Sequence, residues 1–173
     1  AELDEWLTQL ESALPGIKIN VIIEACQSGS FINNPQSISK PGRVVITSTN
    51  DQYDAKASRN GAYFSDHLIT WLHQGYNLSA SFLEASTVAK KVFSLQEAWL
   101  DANGNAIANE FEDAALSSQR SFAYEGTLSG DDWPPYIFSA KAPTTITNFS
   151  GVIQADVRDN VKVRSVWAVV YPP

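Results

Sequence analysis

The chain has 173 residues, of which 44% are hydrophobic and 18% charged, a composition typical of globular rather than disordered proteins. Its net charge of −7 and its lack of any basic run argue against a nucleic-acid partner, because phosphate binding needs clustered Lys and Arg. No run of about 18 apolar residues is present, so the sequence predicts no membrane span.

The numbers of Met and Cys residues further restrict the classes of protein to which the chain can belong. The sequence contains no Met, which indicates a processed product or a piece of a longer protein. It contains one cysteine, Cys26, so an internal disulfide and a multi-cysteine metal site are excluded. A lone cysteine is either a small buried apolar residue or a reactive thiol, and its surroundings must distinguish the two.

The first part of the chain predicts a helix followed by two buried strands. Apolar residues at helical spacing within 3–14 predict a helix that a Pro-Gly pair ends. The β-branched segment 17–24 predicts a buried, parallel strand, and Cys26 follows it almost at once. A loop rich in Asn, Pro, Ser and Gly occupies 33–42, and residues 43–49 repeat the buried-strand pattern.

Two helices are predicted next, at about 64–72 and 78–93, each with an apolar stripe on one face. The order helix, strand, loop, strand, helix, helix is typical of an α/β fold with a parallel sheet, and we assign residues 1–98 to such a domain. Ligands of these sheets bind just beyond the carboxyl ends of the strands, where Cys26 and Ser48 are expected to lie.

The rest of the chain has a different character. Residues 99–143 are predicted to form an irregular connecting segment, with a short helix at about 113–119 and a Trp-Pro-Pro breaker at 133–135. Residues 144–173 alternate as strands do, with a turn predicted at 159–160. The sequence therefore predicts either a β-hairpin that docks on the α/β core or the start of a truncated β-sandwich domain.

The most informative motif is Glu-Ala-Cys-Gln-Ser-Gly-Ser-Phe, residues 24–31. A thiol at the carboxyl end of a parallel strand is held rigidly and faces a crevice. Ser28 and Gly29 allow a sharp backbone turn and leave room for a substrate carbonyl, and the backbone N–H of Cys26 is placed to act as an oxyanion donor. A nucleophilic thiol also needs a base, usually His. The alternative interpretation is an inert cysteine buried at a strand end.

This motif closely resembles the nucleophile motif of clan CD cysteine peptidases, which is Gln-Ala-Cys-x-Gly in caspases and Glu-Ala-Cys-x-Ser-Gly-Ser in legumains. The legumain form is the one matched. The resemblance to legumain-like and bacterial caspase-like peptidases covers about residues 3–95. It includes the second strand ending in Thr-Ser, the Gly-x-x-Phe-Ser helix start at 61–65, Gly75 near the helix end, and the Phe-x-x-Ala of the second helix.

The resemblance implies the C-terminal part of a caspase-hemoglobinase-like three-layer α/β fold with parallel strands. It also implies a cysteine endopeptidase that acts on peptide substrates without a cofactor, and it favours an extracytoplasmic or cell-surface location. In this family Cys26 would be the nucleophile, Glu24 would line the primary specificity pocket, and Ser48 would form a wall of that pocket. The alternatives are a solvated strand carboxylate for Glu24 and a strand-terminal hydroxyl for Ser48.

The sequence departs from the family at the catalytic histidine. In caspases that His precedes the Cys by about 50 residues, whereas only 25 residues precede Cys26 here and none is His. His67 and His73 lie downstream on the predicted helix, where a surface or packing role is expected. We therefore expect the His and half of the oxyanion hole to come from a segment outside this chain, and the chain alone to be inactive.

A second interpretation is a non-catalytic pseudoenzyme, a binding module that self-associates as a homodimer through an exposed sheet edge.

One further motif has the spacing of calcium ligands. Asp101, Asn103 and Asn105 alternate as oxygen ligands do in Ca²⁺ loops, and the stretch resembles one found after the peptidase core in some bacterial relatives. Asn105 and Ala106 replace an Asp and a Gly of that pattern. An Asn-Gly turn is therefore the favoured interpretation, and no metal site is predicted.

Overall fold

The computed structural model describes residues 2–58, 61–121, 136–141 and 154–158. The chain divides into two compact units, residues 1–123 and residues 124–173. The first unit contains α1 (Glu2–Ala13), β1 (Ile19–Ile23), α2 (Ser30–Asn33), β2 (Arg43–Thr47), α3 (Tyr63–His73), α4 (Leu78–Val92), β3 (Trp99–Asp101) and α5 (Phe111–Ser117). The described strands of the second unit are β4 (Tyr136–Lys141) and β5 (Gln154–Arg158).

A three-stranded mixed sheet organises the first unit, in the order β1-β2-β3. β1 runs parallel to β2, with Ile19 opposite Arg43 and Ile23 opposite Thr47. β3 runs antiparallel to β2. Every residue of the central strand β2 is buried, whereas β1 is only partly covered. The predicted α/β class and the predicted parallel pair of strands are therefore confirmed.

Side chains alternate along β2, so this strand presents apolar residues to both faces of the sheet. Helices cover both of these faces. Val44 and Ile46 point to one face and pack with residues of α3 and α4, including Phe64, Leu68 and Leu78. Val45 points to the other face and packs with Ile32 and Ile38, against which Leu3 and Leu7 of α1 are partly buried. Burial of these side chains removes apolar area from water on both sides, which is the main term that stabilises the unit.

Arg43 attaches α1 to the sheet. Its guanidinium is fully buried and donates to the Glu11 carboxylate at 2.6 and 2.7 Å and to Asp4 at 2.7 Å. The Lys40 ammonium lies 2.9 Å from the Asp4 carboxylate. Hydrogen bonds from Lys40 and Arg43 lower the pKa of Asp4, and the hydrogen bonds from Arg43 lower that of Glu11. These ion pairs and hydrogen bonds join the helix to the start of β2.

The structure differs from the predicted domain limits. The first compact unit runs to residue 123 rather than ending at 98, because β3 pairs with β2 and α5 packs beside β3 and α4. A strand of three residues is too short to show a periodic pattern, so the sequence of 99–101 did not reveal it. The short helix predicted at 113–119 is present as α5, two residues earlier.

In the second unit, β5 belongs to the predicted β region but pairs antiparallel with β4, which falls inside the segment predicted to be irregular. The predicted breaker at 133–135, the turn at 159–160 and the second hairpin arm lie outside the described residues. None of the helices described in the structure is long and apolar enough to cross a membrane.

Candidate functional site

Cys26 lies three residues beyond the end of β1, in the turn that leads to α2. Its side chain is exposed, and its Sγ is 4.0 Å from the carbonyl oxygen of Ala55. The thiol is therefore not the buried apolar cysteine of the alternative interpretation. It lies at the carboxyl end of a parallel strand, which is where ligands bind in parallel sheets.

The residue after Cys26 has a strained backbone. Gln27 has a φ of +50°, in the left-handed region that non-glycine residues rarely adopt. Its N–H donates to the Tyr53 carbonyl at 2.9 Å, and its side-chain amide donates to the Asp54 carboxylate at 2.8 Å. Backbone strain of this kind persists only where the surrounding contacts hold it, and it clusters at functional sites.

The Ser-Gly pair that follows is buried against the loop after β2. The Ser28 hydroxyl donates to the Thr49 carbonyl and accepts from the Thr49 N–H, both at 3.3 Å. A Cβ on Gly29 would lie 2.5 Å from backbone atoms of Asn50 and Asp51. Gly29 has an ordinary helical φ of −56°, so glycine is needed here for this close approach rather than for the turn itself. The sequence indicated the turn but not the neighbouring loop.

Glu24 lies between the end of β1 and the start of α3. Its Oε2 accepts from the backbone N–H of Ser65 at 2.8 Å and from the Ser65 hydroxyl at 2.5 Å, in the first turn of the helix. Its Oε1 is buried, with no hydrogen-bond partner in the described part of the chain. The carboxylate therefore satisfies a free N–H at the helix N-terminus and interacts favourably with the helix dipole there. This contact explains a charged residue at the end of an apolar strand.

Ser48 follows β2 and is fully buried. Its N–H donates to the Ile23 carbonyl at 3.0 Å, and its hydroxyl lies 3.5 Å from the Ala25 carbonyl oxygen. Ser48 thus joins the ends of β1 and β2. This contact agrees with the alternative interpretation of Ser48 as a strand-terminal hydroxyl. The structure brings Glu24, Cys26 and Ser48 to the same end of the sheet.

The two histidines both lie on α3. His67 packs against Tyr63 with its ring centroid 4.9 Å away in an edge-on arrangement, and His73 is in the last turn. Neither histidine is within hydrogen-bond distance of Cys26 among the contacts of the described residues, where the sulfur contacts Ala55. A base for the thiol is therefore not supplied by α3 in this arrangement.

The calcium-like stretch forms a loop closed by its own hydrogen bonds. Asp101 is buried, and its two carboxylate oxygens accept from the N–H groups of Gly104 and Ala106, both at 2.7 Å. Burial raises the pKa of Asp101, partly offset by these N–H groups. Asp113 likewise accepts from the N–H groups of Ala102 and Glu110. Over the described ranges, no group of three or more His, Cys, Asp or Glu side chains is arranged to hold a metal ion.

Two polar residues that support the site were not found from the sequence. Asn50 accepts from the N–H groups of Gln52 and Tyr53 at 3.0 Å, and the Asn-Asp pair after β2 was an available turn signal. Gln96 joins the end of β2 to Lys56. Nothing in the local sequence distinguishes that residue from any other polar residue that follows a helix.

No family model matches the chain, and no curated protein matches it. The peptidase resemblance therefore rests on the sequence motif and on the order and spacing of the elements, and it stays a prediction.

Proposed function

We propose that this chain is the nucleophile-bearing part of a caspase- or legumain-like cysteine endopeptidase domain, with Cys26 as the nucleophile. The observation that carries the proposal is an exposed thiol at the carboxyl end of a parallel strand, on a strained turn that three contacts hold to residues 53–55. A solvated cysteine on a loose loop would not need this framework.

The chemistry that follows is acyl transfer. A base takes the proton from Cys26, and the thiolate attacks the carbonyl carbon of the scissile peptide bond. As the C–N bond breaks, the proton passes to the leaving amine, which leaves a thioester on the enzyme. Water then attacks the thioester to release the acid and regenerate the thiol. The backbone N–H of Cys26 is one candidate donor to the oxyanion.

The base would come from a segment outside this chain, added beside β1. In the described residues β1 pairs on one side only, with β2. Apolar side chains also remain exposed on α1, whose Leu3 and Leu7 pack in the same cluster as Val21 and Ile23 of β1. They are Trp6 and Leu10 on the helix and Leu14 just after it. An unpaired strand edge can pair with a further strand, and exposed apolar side chains favour a partner that buries them. The two features together favour the addition of another strand and the element that covers it. A His on such a strand would approach the thiol from the open side.

Glu24 suggests the preferred substrate. Its Oε1 is buried without a partner in the described structure, one residue from the turn that carries the thiol. A substrate donor, such as the side chain of Arg, Lys or Asn before the scissile bond, would pair with this oxygen once the residues that cover it move apart. This assignment depends on Cys26 being the nucleophile.

Chemical rescue tests the proposal. The purified chain is incubated with fluorogenic peptides that carry Arg, Lys, Asn or Ala before the cleaved bond, with and without imidazole as a free base. We expect no hydrolysis by the chain alone and an increase of about tenfold over background with imidazole, since a positioned base contributes 10²–10⁴-fold and a diffusing one recovers part of that.

The control is Cys26→Ala, which should abolish the imidazole-dependent rate. Imidazole-independent hydrolysis that Cys26→Ala removes would show that the chain supplies its own base. If the rate with imidazole is the same for the native chain and Cys26→Ala, Cys26 is not a nucleophile and the proposal fails.

The second candidate is a non-catalytic module that self-associates, and the same open edge of β1 favours it. Two copies could pair their edges and cover the exposed face of α1. Light scattering separates the two functions, with a stable dimer supporting the module. A Trp6→Glu/Leu10→Lys double variant, which changes only exposed side chains, should then return the dimer to a monomer. A native chain that remains monomeric at all concentrations excludes this candidate.

A further inference from the structure

Gln96 is a buried amide that joins two segments of the candidate site. It lies between α4 and β3 and is 1% exposed. Its Nε2 donates to the carbonyl oxygen of Ser48 at 3.1 Å, and its Oε1 accepts from the N–H of Lys56 at 3.2 Å. Both ends of the amide are therefore used, and both partners are backbone groups.

Each of these two partners belongs to a segment that also contacts Cys26 or the residue before it. Ser48 reaches the carbonyl of Ala25, the residue before the thiol, through its hydroxyl. Lys56 follows Ala55, whose carbonyl oxygen lies 4.0 Å from the Cys26 sulfur. The contacts form a closed ring that runs from residues 25 and 26 through Ser48, Gln96 and Lys56 and back to the thiol.

Residues 51–56 depend on such tethers because they belong to no strand or helix. Within the described contacts, the N–H of Lys56 donates to Gln96, and its carbonyl accepts from Tyr63. The same segment provides the acceptors that hold Gln27 in its left-handed conformation. A change in the position of this segment would therefore be transmitted to the turn that carries Cys26.

We propose that Gln96 is a positioning residue for Cys26, acting through its hydrogen bonds to Ser48 and Lys56. It sets the separation between the end of β2 and residues 53–56, and through that separation the conformation of the Cys26–Gln27 turn. Its catalytic significance rests on the proposed function, but its effect on the geometry of the turn can be measured without peptidase activity.

Gln96→Glu provides a test that pH switches on and off. A protonated carboxyl has the shape of the amide and can both donate to Ser48 and accept from Lys56, whereas an ionised carboxylate cannot donate. An unperturbed Glu titrates at about pH 4.3, and burial raises that value. The variant should therefore resemble the native chain in acid and depart from it as the pH rises through the titration of the new carboxyl.

Two readouts are compared with the native chain at each pH. The first is amide hydrogen exchange by NMR, in which the Lys56 and Gln27 amides should exchange about fivefold faster once the carboxyl is ionised, as expected for the loss of one hydrogen bond. The second is the rate at which 4,4′-dithiodipyridine, a disulfide reagent that also works in acid, reacts with Cys26. We expect this rate to change by a similar factor over the same pH range.

The decisive amide is that of Gln27, which Gln96 does not touch. If only the Lys56 amide responds while Gln27 and the thiol stay as in the native chain, Gln96 is a local core amide and the inference is wrong. Gln96→Met, uncharged and of similar volume, covers the case in which the ionised variant does not fold and should reproduce the faster exchange at every pH. Ile38→Val, a core change away from this ring, is the control for a general loss of stability.

These outcomes are independent of the peptidase proposal. Failure of imidazole rescue would leave the exchange results standing, and normal exchange in the Gln96 variants would leave the rescue result standing.

Discussion

Replacement of Gly29 by Ala tests how closely the Cys26 turn is packed. A Cβ at this position would lie 2.5 Å from Asn50 C and Asp51 N and 2.7 Å from the indole of Trp99, whereas ordinary contacts begin at 3.4 Å. Two stretches of backbone must therefore separate by about 0.9 Å. Overpacking costs about 1–3 kcal/mol, and we expect the upper end because the obstructing atoms are backbone.

The φ of Gly29 suits any residue, so Ala also gains about 0.5 kcal/mol through the reduced entropy of the unfolded chain. The expected net loss in the free energy of unfolding is about 2–3 kcal/mol, measured by urea unfolding monitored through tryptophan fluorescence.

Gly61→Ala is the matched control for this prediction. Its new Cβ would meet the Asp66 carboxylate at 3.1 Å, the end of an exposed side chain that can move aside. We expect a change within about 0.5 kcal/mol. If Gly29→Ala is as stable as Gly61→Ala, the turn can separate from the 50–51 loop at little cost, and the argument that this loop holds Cys26 in position is refuted.

The remaining predictions concern three carboxylates that connect helices to the sheet: Asp4 and Glu11 on α1, and Glu24, which contacts the start of α3. The pKa values of Asp4 and Glu11 are lowered in the folded chain, so their contribution to stability is complete above about pH 5 and is lost as the pH falls through about 4 and below. Arg43→Met should lower the free energy of unfolding at neutral pH by about 2–3 kcal/mol and flatten this acid-dependent loss; urea unfolding at a series of pH values that gives an unchanged acid slope would contradict the assignment. Glu24→Ala removes two hydrogen bonds at the start of α3 and should cost about 2 kcal/mol, whereas Glu24→Gln keeps an acceptor and should cost about half as much. Equal stability of both Glu24 variants and the native chain in the same urea assay would leave the carboxylate without a structural role.

The elements with a clear repeating pattern could be predicted from the sequence. α1, α3 and α4 have apolar residues at helical spacing, and β1 and β2 are β-branched runs. The position of Cys26 just beyond β1 follows from the same local pattern, as does the end of the sheet at which Ser48 lies. The peptidase family and the roles of Glu24, Cys26 and Ser48 stay predictions, since they depend on resemblance.

The contacts that hold the site could not be predicted because their partners are far apart in sequence. Glu24 bonds Ser65, 41 residues away, and Gln96 bonds Ser48, 48 residues away. A hydrogen bond between residues so far apart in the sequence produces no repeat or spacing pattern in either segment. Only the folded chain therefore shows which polar residue reaches which backbone group. The same reason applies to β3, whose three residues form a strand only because they pair with the edge of β2.

The sequence by itself thus determined where the thiol lies, because a strand and the turn after it are specified by residues that are neighbours in the chain. The tertiary structure decided what holds that thiol, because the left-handed Gln27, the close approach at Gly29 and the bridge through Gln96 all depend on loops brought together by folding.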